Sequence, residues 1–347
     1  MRESSLRTVY QRRRRRPFVV LTILFLIATL LAGCGVADPA VEAQGVGQSG
    51  DPQGSILFVS DHNIMRWQNG DVTQLTRDIW AESPTWSPAG DRFAYVQVHD
   101  GFSEIVVADR EGAPLLVVTE NNPMIEPTNT EDYVFLAAWA KEPDWSPVAE
   151  QLIFVSDKGG FDLFSRNLYL FFSETWDAPP YGLNASYDIG ESQEGPSFSP
   201  DGQQVAFTVR IDLGNGNRTT EIWTLDLNAG TWTVLVAPPD GAYDADWSPT
   251  GEDIAYAQRT GESTDIWIAP VGEGAAYQIT TRGACSAPAW SPDASKLAFM
   301  CVVDAQFEIW YVDLTRGEDG RLTPSEPQQL ISADNIDAVS GIAWSSS

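Results

Sequence analysis

From position 55 to its end the chain alternates short apolar runs with clusters of Gly, Pro, Asp and Asn. Ile56-Leu57-Phe58-Val59, Phe93-Ala94-Tyr95-Val96 and Leu297-Ala298-Phe299-Met300 are typical runs. They are too short for helices, rich in β-branched and aromatic residues, and bounded by turn formers, so they predict strands. The runs also recur as a unit. Trp-Ser-Pro begins at Trp86, Trp145, Trp247 and Trp290, Phe198-Ser199-Pro200 repeats it, and Trp344-Ser345 is a sixth, shortened copy. The intervals are 59, 53, 49, 43 and 54 residues. Nine residues after each of the first five aromatics stands another: Tyr95, Phe154, Phe207, Tyr256 and Phe299. Apolar pairs such as Ile105-Val106 and Ile266-Trp267 follow, and a fourth run such as Tyr277 to Thr280 closes each unit.

Four strands in a repeat of about 50 residues predict a propeller blade. The phrase ends in turn chemistry (Pro-Ala-Gly-Asp, Pro-Asp-Gly, Pro-Thr-Gly-Glu), in which Pro presets φ and Gly accepts a positive φ, so it joins the first strand to the second. One blade cannot bury both of its faces, so blades must stack. The chain ends on a first strand, Gly341 to Ser345, and the repeat region opens on Ile56–Val59, Ile64-Met65 and Val72–Thr76, which read as second, third and fourth strands. The expected fold is therefore an all-β, six-bladed propeller over 55–347. It has four antiparallel strands per blade and is closed by one C-terminal strand with three N-terminal strands.

The first 33 residues break the pattern. Arg2, Arg7 and the run Arg12 to Arg16 precede an apolar stretch from Phe18 to Leu31. That stretch is shorter than the roughly 20 residues of a membrane-spanning helix, and its charged head and small-residue end describe a secretory signal. Leu31-Ala32-Gly33-Cys34 resembles the lipobox of bacterial lipoproteins, which implies cleavage before Cys34 and lipidation of its thiol. Two or three acyl chains suffice for stable anchoring. Residues 34–54 then form a Gly-, Pro- and Ala-rich tether without aromatics. The expected location is the outer face of a bacterial membrane.

Charge adds an exclusion. The whole chain carries 21 basic and 48 acidic residues. Removing 1–33 takes away seven arginines and Glu3, leaving 14 basic and 47 acidic residues and a formal charge of −33. Nucleic acid is an unsuitable partner for such a chain. The phrase Trp-Ser-Pro-Asp-Gly followed by Ile/Val-Ala-Phe resembles the propeller repeat of TolB and its wider WD-like family, across 55–347. The resemblance implies an envelope binding module. It leaves no space for the α/β domain that precedes the TolB propeller.

Candidate chemistry is sparse. Cys285 and Cys301 are centred on the hairpin near residue 293, which places them opposite each other and predicts a disulfide in an exported protein. His62 and His99 fall in loops after second strands and read as surface histidines. There is no Gly-x-Ser-x-Gly, His-Glu-x-x-His or Gly-x-x-x-x-Gly-Lys motif. The residues three and four before each first-strand aromatic mark where the chain enters the central channel. Among them are Glu82, Glu142, Glu194 and Asp244, one acid in each of four consecutive blades. This arc predicts attraction of a basic peptide or a divalent cation such as calcium, with no other cofactor. Trp80, Trp139 and Trp176 lie between repeats and are candidate recognition aromatics, and the long segments 120–142 and 172–195 are candidate recognition loops. The expectation is a monomeric, non-catalytic binding or scaffolding module for a protein or peptide partner. A carbohydrate- or cation-binding propeller and a propeller-type lyase or hydrolase are the alternatives.

Overall fold

The computed structural model describes residues 44–45, 52–122, 138–157, 167–172, 181–182, 192–214 and 216–346. The compact unit runs from Glu42 to Ser347. The signal segment and Cys34 lie outside the described residues.

The strands pair into six antiparallel sheets among the described residues. Sheet one joins Ala343–Ser345 to Ser55–Ser60, Asn63–Gln68 and Asp71–Gln74. Sheets two to five each run in chain order from a first strand: Trp80–Trp86, Ala140–Trp145, Ser192–Phe198 and Ala242–Trp247. Sheet six runs from Cys285–Trp290 through Lys296–Val303 and Gln306–Arg316 to Gln328–Ser332. Gln44–Gly45, inside the segment expected to be a tether, adds a short strand to that outer edge, opposite Ser332 and Ile331.

The core explains the ring. It divides into clusters that lie between consecutive sheets. Leu57, Val59, Trp86, Phe93 and Tyr95 join sheets one and two. Ala255, Ile268, Trp290 and Phe299 join sheets five and six. Ile56, Phe58 and Trp67 meet Met300, Ile309 and Tyr311, so sheet six packs back on sheet one. The architecture is an all-β propeller. Phe154, Phe207, Tyr256 and Phe299, the aromatics nine residues after the phrase, are at most 1% exposed and fill these interfaces.

The serine of the phrase has its own task. Ser199 Oγ donates to Asp201 Oδ1 at 2.6 Å and accepts the Gln204 N–H at 2.9 Å. Ser291 does the same with Asp293 and Lys296. These bonds tie both ends of the hairpin turn, and they hold the Asp201 and Asp293 carboxyls below the usual carboxylate range. At the seam, Ser55, Ile56 and Leu57 pair with Ser345, Trp344 and Ala343. Trp344 Nε1 donates to Gln53 O at 2.9 Å. Gly54 has φ +102°, and a Cβ there would lie 2.1 Å from Ser345 O, so only glycine fits at this crossing.

Cys285 and Cys301 are directly opposed in register and their sulfurs are bonded. Closing a loop of this size stabilises a fold by about 3 kcal/mol through the unfolded chain. The Cys285→Ser/Cys301→Ser variant is therefore expected to unfold at a lower urea midpoint, with a slope equal to or steeper than wild type because its unlinked unfolded chain is more expanded, and to lose roughly 3 kcal/mol. An equal midpoint in oxidised wild type and variant would show that the link contributes nothing.

Candidate functional site

Each first strand carries the same irregularity. The residue three before the aromatic takes a left-handed conformation: Ser83 (φ 48°), Glu142 (52°), Gly195 (56°), Asp244 (56°), Ala287 (50°) and Gly341 (67°). The pairing register shifts there, for example between Glu82 and Thr85 and between Tyr243 and Asp246. This is a β-bulge, a device that bends a strand and re-aims its side chains. Holding a non-glycine residue at positive φ costs roughly 1 kcal/mol or more, so the bulge needs compensation.

Hydrogen bonds between neighbouring sheets supply it, in two tiers. In the bulge tier Glu142 Oε2 accepts the Gly195 N–H at 2.8 Å, and Asp244 Oδ2 accepts the Ala287 N–H at 3.1 Å. In the tier below, the residue just before the aromatic does the work. Asp144 Oδ2 accepts the Phe198 N–H at 2.8 Å, Ser197 Oγ the Trp247 N–H at 3.0 Å, and Asp246 Oδ2 the Trp290 N–H at 2.8 Å. Thr85 Oγ1 donates to Asp144 Oδ1 at 3.3 Å. Each bond links one sheet to the next.

These strands enclose a channel of about 1110 Å³. Glu142, Asp144, Glu194, Asp244 and Asp246 line it, all on sheets three to five. Pro88, Pro147, Pro200, Pro249 and Pro292, the prolines of the repeated phrase, line it as well. The carboxylates open onto the channel but are enclosed by its wall. Burial pushes Asp144 up to about 6, against the hydrogen bond from Phe198. It pushes Asp244 up to about 7, against the Ala287 N–H and reinforced by the negative charges of Glu142 and Glu194. Asp246 also rises to about 7 through burial, against the Trp290 N–H and with the Asp144 charge adding to the rise. Glu194 accepts from Arg210 at 3.2 Å and from Ser192 at 3.2 Å.

Of the four acids singled out by sequence, three meet in the channel. Glu82 is not among its lining residues, and its Oε1 accepts the Trp80 Nε1–H at 2.7 Å instead. Trp80 is 47% exposed and lies 4.4 Å from the His62 ring. His99 stacks on Phe102 at 4.5 Å. Trp139 is half-buried, with the Lys141 ammonium 5.8 Å from its ring centroid. Trp176 lies outside the described residues. Asp144 and Asp246 were missed, although Asp-Trp-Ser-Pro occurs twice and nowhere else in the chain. Among the described residues no group of three or more His, Cys, Asp or Glu side chains is arranged to hold a metal ion.

No family model matches the chain. A TolB homolog from Chlorobium luteolum is 30% identical over 175 residues, which is 50% of this chain and 36% of that protein. The chain spans 58% or less of the length of the curated relatives it matches. Among solved structures, TolB from Acinetobacter baumannii superposes with a TM-score of 0.63 at 19% identity, covering 85% of this chain and 67% of that one. The fold is a TolB-like β-propeller. An oligogalacturonate lyase in complex with manganese is more distant, with a TM-score of 0.51 at 14% identity over 82% of this chain and 75% of that one.

The raised carboxyls of this TolB-like propeller give its stability a pH signature. A carboxyl whose folded pKa lies above its unfolded value binds more protons in the folded state, so stability is lost as pH rises from about 4 toward 7. Asp246→Asn keeps an oxygen for the Trp290 N–H and removes the charge. It is expected to raise Tm at pH 8 and to flatten the decline of Tm between pH 4 and 8. Asp246→Ala leaves the N–H unpaired and should cost about 1–3 kcal/mol. Thermal melts across that pH range check both; parallel profiles for wild type and Asp246→Asn would contradict the assignment.

Proposed function

We propose that the chain is a binding module of the bacterial cell envelope that takes a basic segment of a protein partner into its central channel. The observation that carries this is the acidic excess of the channel lining, six carboxylates against three arginines, with Glu142, Asp144, Glu194, Asp244 and Asp246 on three consecutive sheets and the buried acids repelling one another. A Lys or Arg side chain entering there would relieve that repulsion and find acceptors already oriented by the backbone bonds. The Tol-type propellers among the relatives and fold neighbours support the envelope setting. Each of the six sheets is read as one blade, and the module acts as a monomer held through a lipid on Cys34 at the outer face of a membrane. Catalysis is not part of the reading. Calcium is the competing occupant of the same carboxylates.

Two measurements test the proposal. Titration calorimetry of the full chain with a lysine-rich decapeptide is expected to show binding that weakens at least tenfold in Glu142→Gln/Asp244→Asn. The affinity should also fall as pH drops from about 8 through 6, because Asp244 and Asp246, and then Asp144, take up protons. Equal heats for wild type and variant would dismiss the channel, whereas heats with calcium chloride alone that vanish in the variant would favour the cation. Separately, Cys34→Ala expressed in a bacterial host should move the protein from the membrane pellet to the soluble fraction. Retention in the pellet would argue against the lipid anchor.

A further inference from the structure

Where the chain enters the first strands of sheets two and three, ring side chains form a row. The residue six before the phrase aromatic is Trp80 in sheet two and Trp139 in sheet three, but Ser192, Gly241, Ala284 and Ala338 in the other four repeats. The two tryptophans at this position thus fall on consecutive sheets. Contacts join them into one row. The Ala81 N–H donates to His62 O at 2.8 Å, and the Trp80 and His62 ring centroids are 4.4 Å apart. Trp80 pairs in register with Val98, the neighbour of His99, and His99 stacks on Phe102 at 4.5 Å. Ser103, next in the chain, donates from its N–H to Ala138 O at 3.3 Å and from Oγ to Ala140 O at 2.7 Å. These bonds grip both sides of Trp139.

Both indoles are held in place. Trp80 is 47% exposed, yet its Nε1–H donates to Glu82 Oε1 at 2.7 Å. Trp139 is half-buried, its backbone N–H donates to Asp157 Oδ1 at 2.6 Å, and the Lys141 ammonium lies 5.8 Å from its ring centroid. Glu82 and Lys141 occupy the same place in their repeats, two residues after the tryptophan. Each platform therefore combines a flat apolar ring with a charged group beside it, an acceptor in one sheet and a donor in the next. A lone exposed apolar residue needs no explanation, but a contiguous row of rings marks a recognition surface. Rings already fixed lose little freedom when a ligand binds.

We propose that this row binds a neutral oligosaccharide chain, at a site separate from the channel. Trp80, Glu82, Trp139 and Lys141 are not among the channel-lining residues. A pyranose ring has an apolar C–H face, which stacks on an indole, and a rim of hydroxyls that both donate and accept. The Glu82 carboxylate accepts from such hydroxyls and the Lys141 ammonium donates to them. The formal charge of −33 from Cys34 onward disfavours an anionic glycan. A proline-rich segment also docks on aromatic rings, but its prolines carry no N–H for the Glu82 carboxylate. The two tryptophans lie on different sheets, so a chain of several sugars is needed to reach both.

The test is titration calorimetry of the full chain in mild detergent with cellohexaose, chitohexaose and maltohexaose, their disaccharides, and a proline-rich decapeptide. At least one hexasaccharide is expected to bind, and more tightly than its disaccharide. Trp80→Ala, at an exposed position, should weaken that binding about tenfold, and Trp80→Phe, which keeps a ring, by less than about threefold. A melt confirms that both variants are folded. The channel variant Glu142→Gln/Asp244→Asn should bind the hexasaccharide as wild type does, which separates this site from the channel. The inference is overturned if none of the three hexasaccharides binds, if binding survives Trp80→Ala unchanged, or if disaccharide and hexasaccharide bind equally. Binding of the decapeptide alone, lost in Trp80→Ala, would assign the row to a peptide instead.

Discussion

Everything in this molecule depends on closing the ring. Each sheet has two apolar faces, and each face can be buried only against the next sheet. A ring that failed to close would leave Ile56, Phe58 and Trp67 on one side and Met300 and Ile309 on the other in contact with water. Closure is carried by a strand of three residues, Ala343–Ser345, inserted beside Ser55–Ser60. The Gly54 crossing and the Trp344 indole bond to Gln53 secure it. Two distant parts of the chain thereby form one sheet.

The same demand shapes the channel. First strands converge at the axis, where side chains have little space and backbone groups of neighbouring strands come close. The bulge N–H groups of Gly195 and Ala287, and the N–H groups of Phe198, Trp247 and Trp290 below them, point to the preceding sheet, where carboxylates or a hydroxyl accept them. The carboxylates to which the proposed binding is assigned therefore also carry structural hydrogen bonds. Asp144, Asp244 and Asp246 each hold a backbone N–H of the next sheet through Oδ2, and Oδ1 of Asp144 and of Asp246 also accepts a hydroxyl, from Thr85 and Ser197. Burial, reinforced at Asp244 and Asp246 by neighbouring negative charge, raises these carboxyls to about 6 or 7, so stability is coupled to pH through them.

Much of this was legible in advance. The Trp-Ser-Pro phrase, the aromatic nine residues later and the split of the seam sheet between the chain ends follow from periodicity alone, because interblade contacts repeat with the chain. Glu142, Glu194 and Asp244 were also legible by position. Glu82 sits at the same place in its repeat as Glu194 but turns to Trp80, since what a bulge side chain meets depends on its neighbours and not on its spacing. Asp144 and Asp246 stood beside the most visible residues of the chain and were overlooked. A residue next to a core tryptophan reads as the exposed half of an alternating strand, and only convergence at the axis makes that exposed half the channel wall. The Gln44–Gly45 strand on the edge of sheet six carried no signal at all, since backbone pairing places no demand on side chains.

The sequence by itself determined the repeat, the strand order, the seam, the cysteine pair and the acidic balance, because each is a property of spacing or composition. Only the tertiary structure decided which acids share a channel and which of them bind backbone N–H groups. Those residues come from different repeats, and their proximity arises from ring closure, which brings positions some 50 residues apart in the chain to within hydrogen-bonding distance.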